Sequence, residues 1–157
     1  MANTYTQIHI QTVFAVDGRA RLIPKAHKEE LQKYITGVVQ SEGQKLLAIN
    51  CMSDHTHIVF GLRPQTAIAD LLRVVKVESS KFVTGKGWMR GKFAWQEGYG
   101  AFSYCRDEVD TLVRYVMNQE EHHRRATFKE EYLKILRDFD VPYDDRFLFD
   151  WIEDNKE

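Results

Sequence analysis

The chain has 157 residues, 43% hydrophobic and 29% charged, with a formal net charge of -1. That is the composition of an ordinary globular protein, long enough for one domain with its own core. Its apolar runs are short and interrupted, which excludes a membrane-spanning role. The opening Met1-Ala2-Asn3-Thr4-Tyr5 lacks the basic and apolar regions of an export signal. Cys51 and Cys105 are too few and too far apart for a disulfide framework, so reduced thiols in a cytoplasmic protein are expected.

The near-zero total hides an uneven distribution. Residues 138–157 carry eight acids against Arg146 and Lys156, a net of -6, which leaves +5 for residues 1–137. Arg73, Lys76, Lys81, Lys86, Arg90 and Lys92 face only Glu78 within residues 73–92. A mildly basic body with an acidic tail is compatible with a phosphate-bearing partner.

In chain order, residues 5–16 alternate, with Ile8, Ile10, Thr12, Phe14 and Val16 on one face of a strand. Asp17-Gly18 ends it, and Pro24 suits the first turn of a helix. Leu31, Tyr34, Ile35, Val38 and Val39 form the apolar stripe of that helix, which Gly43 closes. Residues 45–52 and 55–62 read as a hairpin around Ser53-Asp54. Thr66 is placed to cap a second helix carrying Ile68, Leu71, Leu72, Val75 and Phe82. Gly85, Gly87 and Gly91 mark a loop, followed by short strands near 92–96 and 99–103. A third helix is expected over 107–122, with Val109, Leu112, Val113 and Val116 buried, and a last one over 127–137.

This order predicts an α+β fold: a ferredoxin-like split βαβ sandwich, its sheet mostly antiparallel, with helices on one face plus extra C-terminal helices. The expected organisation is a catalytic domain over 1–137 and an acidic C-terminal tail over 138–157 packed on it. The tail's Tyr143, Phe147, Phe149 and Trp151 suggest that it folds back.

The most informative motif is His55-Thr56-His57. Strand side chains alternate faces, so both imidazoles point the same way and can grip one metal ion. The third helix offers further candidates in Tyr115, Asn118, Gln119, His122 and His123. Residues 115 and 119 share a helical face beside the apolar stripe. A glutamine amide oxygen there could be a third ligand, with the tyrosine next to the ion.

These residues resemble the single-tyrosine transposases of the HUH nuclease superfamily, encoded by the smallest bacterial insertion sequences and their repeat-associated relatives. The resemblance rests on His55-Thr56-His57, on Tyr115-Val116-Met117-Asn118-Gln119 and on Trp95-Gln96-Glu97-Gly98-Tyr99. It extends over Gln7 to Ile23 and Glu120 to Tyr132. Three places differ from the family pattern: Thr56 for a bulky apolar residue, Ser53-Asp54 where a proline is common, and the loop Val16-Asp17-Gly18-Arg19. Thr56 is expected to face the other side of the sheet.

The resemblance implies a ferredoxin-like sandwich and an enzyme that cuts and rejoins single-stranded DNA beside subterminal hairpins, as a homodimer. It implies Tyr115 as the nucleophile, and His55, His57 and Gln119 as metal ligands. Whether the tyrosine serves its own subunit or a partner is left open. Physical chemistry suits these roles. A divalent cation polarises a phosphodiester and offsets the charge that develops in line. Neutral imidazole and amide ligands would leave the ion its full charge, and its proximity would favour the phenolate. Attack would give a 5′-phosphotyrosine and a free 3′-hydroxyl, so rejoining would need neither ATP nor water. Mg²⁺ or Mn²⁺ is the expected ion, although histidines also accept Zn²⁺.

Blander roles stand beside these. His122 and His123 near a helix end would complement its dipole, and Asp54 would be a turn residue or would orient a histidine. DNA contacts are expected from Arg19 and Arg21. They are expected too from the run Lys76, Lys81, Lys86, Arg90 and Lys92, with Trp88 stacking on a base; a solvated helix face followed by core aromatics is the competing view of that run. The alternative functions are a non-catalytic hairpin-DNA-binding protein derived from a transposase, and a small metallohydrolase.

Overall fold

Alternating apolar residues drive the first strand into the middle of the sheet, where it is buried on both faces. The computed structural model describes residues 3–152. Strand β1 (His9–Ala15) lies between β3 (His55–Gly61) and β4 (Gly100–Tyr104), and β2 (Lys45–Cys51) flanks β3. The order is β2-β3-β1-β4, and every pairing is antiparallel. Helix α1 (Lys28–Ser41) links β1 to β2, and α2 (Ile68–Lys86) links β3 to β4. This is the expected split βαβ sandwich.

The two faces of the sheet do different work. Helices α1 and α2 cover Ile10, Phe14, Ile49, Ile58 and Phe60 with Leu31, Ile35, Leu71 and Leu72. Full burial of each such side chain contributes roughly 1.5–3 kcal/mol. The opposite face is covered by the C-terminal helices α3 (Arg106–Met117) and α5 (Phe128–Asp138). Leu112 and Val116 of α3 pack on Ala48 and Val59, and α5 sets Phe128, Tyr132 and Leu136 against Val13, Ala15 and Phe102. His55 and His57 project between the sheet and these added helices, whereas Thr56 is buried toward α1 and α2, as alternation requires.

Four local expectations are corrected. Residues 92–96 form no strand; Trp95 makes one isolated bridge to Val16. Lys76 donates to the Gln96 and Gly98 carbonyls (2.9 and 2.6 Å), and Gly98 takes a positive φ of 83°, so the chain turns away before a ladder can grow. The helix expected over 107–122 breaks at Asn118 and resumes as the short α4 (Gln119–His122). Thr66 caps nothing: α2 starts after Ala67, and the Thr66 hydroxyl accepts from Gln44 Nε2 (2.9 Å). Pro24 precedes a 3-10 turn, Lys25–His27, that leads into α1.

The Trp95-Gln96 pair fastens the tail. Trp95 Nε1 donates to Ser79 Oγ (2.9 Å), and Gln96 exchanges two bonds with the Asp150 backbone (2.7 and 2.8 Å). Phe149 and Trp151 then pack on Phe128 and Tyr132. The acids Glu153, Asp154 and Glu157 lie outside the described residues.

One buried bond positions the end of α3. Asn50 Nδ2 donates to the Val116 carbonyl (2.9 Å), beside Tyr115. Asn50→Ala is therefore expected to lower unfolding free energy by about 1–3 kcal/mol, read from urea denaturation. An unchanged midpoint would show that this bond does not anchor the helix.

Candidate metal centre and active site

Pairing with β1 fixes the histidine strand: His57 lies opposite Val13 and His55 opposite Ala15. Both imidazoles are fully buried. Each is oriented from behind. His55 Nδ1 donates to Asp54 Oδ1 (2.6 Å), and His57 Nδ1 donates to Gln11 Oε1 (2.8 Å), whose Nε2 donates to the Tyr104 hydroxyl (2.8 Å). These acceptors leave both Nε2 atoms facing the space under α4 and α5, the arrangement by which outer partners orient metal-binding histidines. Asp54 thus closes the turn and orients His55.

Helix α5 answers from the other side. Thr127 caps it by accepting from Glu130 N (3.1 Å). Phe128 stacks flat on His55, with ring centroids 4.0 Å apart. One turn on, Glu131 Oε1 lies 3.1 Å from His57 Nε2 and 3.5 Å from His55 Nε2. Ligand atoms of His55, His57 and Glu131 all fall within 4.8 Å of one another, a group that could hold a metal ion.

Two further groups complete the cluster. Gln119 is fully buried; its Nε2 donates to Glu131 Oε2 (2.9 Å), which turns its Oε1 toward His123 Nε2 (2.9 Å) and His55 Nε2 (3.4 Å). His123 is itself held through Nδ1 by the Ala126 carbonyl (2.9 Å), and its Nε2 is 3.1 Å from Glu131 Oε1. The role expected for His123, complementing a helix dipole, is therefore corrected: it faces the cluster. His122 sits at the margin, its ring edge-on to Tyr115 at 5.4 Å. The Tyr115 hydroxyl donates to Glu131 Oε2. The carboxylate thus joins the phenol, the amide and His122 Nε2 (3.4 Å) on one oxygen to His55, His57 and His123 on the other.

The electrostatics fit a divalent cation. Burial alone would raise the Glu131 carboxyl, but hydrogen bonds from His123, His55 and His57 hold it well below the usual carboxylate range. Burial would lower His55, yet Asp54 and Glu131 outweigh it and raise it to about 9. Burial keeps His57 below its ordinary value. Burial, then the Glu131 charge, pushes the Tyr115 phenol up, so it is a hydrogen-bond donor here. With His55 deprotonated, Asp54 and Glu131 would leave two negative charges at the pocket, which one divalent ion would balance. Glu131 adds a charged carboxylate to the neutral imidazoles and amide expected as ligands.

Sequence reasoning named His55, His57, Gln119 and Tyr115, and the fold brings all four together. It missed Glu131, though a signal existed. Phe128, Tyr132, Ile135 and Leu136 make an apolar stripe, and a carboxylate inside such a stripe needs a buried partner. The residues expected to contact DNA are not part of this cluster. Lys76 is half-buried on carbonyls, and Arg21 donates to the Lys92 and Asp17 carbonyls (2.8 and 3.1 Å). Lys81 pairs with Glu78, Lys86 with Glu30, and Trp88 stacks on His27 at 4.4 Å rather than standing free. Arg19, Arg90 and Lys92 are exposed.

No curated protein matches this sequence. Among solved structures, a candidate transposase from Deinococcus radiodurans R1 superposes with a TM-score of 0.59 at 18% identity, over 76% of this chain and 95% of the other. A REP-associated tyrosine transposase bound to a REP hairpin superposes with a TM-score of 0.57 at 13% identity, over 78% and 73%. The family described as "Transposase IS200 like" matches residues 4–119, most of the sheet and the histidine and tyrosine motifs. By that match, the chain belongs to the IS200-like transposase family.

Proposed function

We propose that this protein cuts and rejoins single-stranded DNA through Tyr115, at a divalent cation held by His55, His57, Gln119 and Glu131. The observation that carries the reading is the Tyr115 hydroxyl resting on the carboxylate that faces the histidine pair. Nucleophile and pocket meet within one chain, which supports action in cis. A homodimer would bring two sites together without either lending a residue to the other. The hairpin in the superposed REP-associated transposase makes hairpin-bearing single strands the first substrate to try.

His55, His57, Gln119 and Glu131 would hold the divalent ion, Mg²⁺ or Mn²⁺, which would supply charge to polarise the scissile phosphate. Glu131 Oε2 accepts the phenolic proton as the Tyr115 oxygen attacks phosphorus. The bond to the 3′ oxygen breaks, and that oxygen takes a proton from water. Tyr115 then carries the 5′-phosphate. In the reverse direction a 3′-hydroxyl gives its proton to solvent hydroxide as it attacks the phosphotyrosine, and Glu131 returns the other proton to the departing phenol. Gln119 and Asp54 hold Glu131 and His55 in place throughout.

Incubation with labelled single-stranded hairpin DNA and Mn²⁺ is expected to yield a denaturation-resistant adduct, abolished by EDTA and by Tyr115→Phe. Equal adduct from the phenylalanine variant would overturn the nucleophile assignment. Hairpin binding that survives EDTA with no cleavage at all would favour the non-catalytic binder.

Glu131→Gln keeps the shape and removes the charge. Its adduct should form about 100-fold more slowly, the lower range for a lost proton acceptor. A rate within threefold of the parent would remove Glu131 from the chemistry.

Metal uptake should depend on pH with a defined sign. His55, raised to about 9, is protonated at neutral pH without metal and must release that proton to coordinate. Apparent Mn²⁺ affinity is thus expected to rise about tenfold per pH unit from pH 7 toward 9. The measurement is the Mn²⁺-induced rise in melting temperature; a pH-independent rise would contradict the assignment.

A further inference from the structure

A divalent ion balanced by Asp54 and Glu131 would leave no surplus positive charge to draw in a polyanion, so the charge around the centre matters. This question rests on the function proposed above. Three openings adjoin the cluster. The largest, about 990 Å³ between α3 and α5, is lined by the carboxylates of Asp107, Glu108, Glu130, Glu131 and Asp138 against Lys134 and Arg137. A strand of phosphates is repelled there.

The other two openings flank the turn His122–Arg125 and are basic. On one side Arg114 and Arg125 line a cleft of about 460 Å³ with Tyr115 and His122, opposed by Glu121. On the other, Lys25, Lys28 and Arg124 line a cleft of about 310 Å³ with His123 and Ser53, opposed by Glu120. Both acids already have partners: Glu120 pairs with Lys28 (3.1 Å) and Glu121 with Arg124 (3.2 Å). The consecutive histidines divide between the clefts, and so do the consecutive arginines. His123 reaches from the second cleft to Glu131, so a phosphate seated there is one imidazole from the metal ligands.

We propose that the turn His122–Arg125 is the saddle that carries the single strand. Arg125 and Arg114 neutralise phosphates on the Tyr115 flank. Arg124, Lys25 and Lys28 do so on the His123 flank. The chain crosses the saddle so that the phosphate between the flanks lies at the ion pocket. The ligand class is a single-stranded polynucleotide backbone, recognised by charge and not by base. The run over residues 73–92 is not the main track, because none of its cations lines an opening that adjoins the cluster.

The test uses the full chain, a fluorescein-labelled single-stranded hairpin oligonucleotide and EDTA, so that binding is read without chemistry. Anisotropy is followed across a salt series. The double variant Arg124→Ala/Arg125→Ala changes two exposed side chains of a turn. It should bind at least tenfold more weakly, and its slope of log affinity against log salt should fall by about 1.4, at about 0.7 per phosphate contact on a single strand. Arg124→Lys/Arg125→Lys should recover most of the slope, which a merely structural role would not predict. Lys134→Ala/Arg137→Ala, on the acid-lined side, should bind like the parent. A parent-like slope in the double alanine variant overturns the saddle, as does an equal loss in the Lys134 and Arg137 control. If the parent also forms the Tyr115 adduct, the proposed function survives that outcome. A parent that binds no single strand overturns both.

Discussion

The Glu131 carboxylate is the contact on which the site depends. It is buried among four imidazole nitrogens, a glutamine amide and a phenol, and each of its oxygens has a separate set of neighbours. Such a group is stable only where positive charge is supplied. Protonated His55 supplies part of it, and a divalent ion would supply the rest. The same carboxylate ties three parts of the chain together: the central sheet, the break after α3, and α5.

That linkage explains why the C-terminal helices matter as much as the sandwich. Helices α1 and α2 make a conventional core on one face, and they touch none of the cluster's ligand atoms. The opposite face carries the histidines, and α3, α4 and α5 deliver Tyr115, Gln119, His123 and Glu131 onto it. Tyr115 at the end of α3 and Gln119 at the start of α4, four residues apart, both reach the same Glu131 oxygen. The tail then packs Phe149 and Trp151 on Phe128, whose ring lies on His55.

Charge is divided around the centre. One opening is lined by carboxylates, and two are lined by arginine and lysine. If an ion there were balanced by Asp54 and Glu131, that surrounding charge would choose the path of a polyanion. The tyrosine lies where an acidic and a basic opening meet. In the metal-free state its phenol is restrained by Glu131 and raised above its ordinary value.

The sequence by itself determined the strands and helices of the sandwich and the shared face of His55 and His57, because side-chain alternation and helical periodicity are local properties. It also placed Tyr115 and Gln119 four residues apart. It misplaced the segment at Trp95, where an amine bound to carbonyls overrode β propensity. The tertiary structure alone decided that Glu131 meets His57 across 74 positions of chain, that His123 faces inward, and that Lys76 and Trp88 are held by protein partners. Periodicity tells which face of an element is buried. Which two buried faces meet is set by packing between elements distant in sequence, and there the site was assembled.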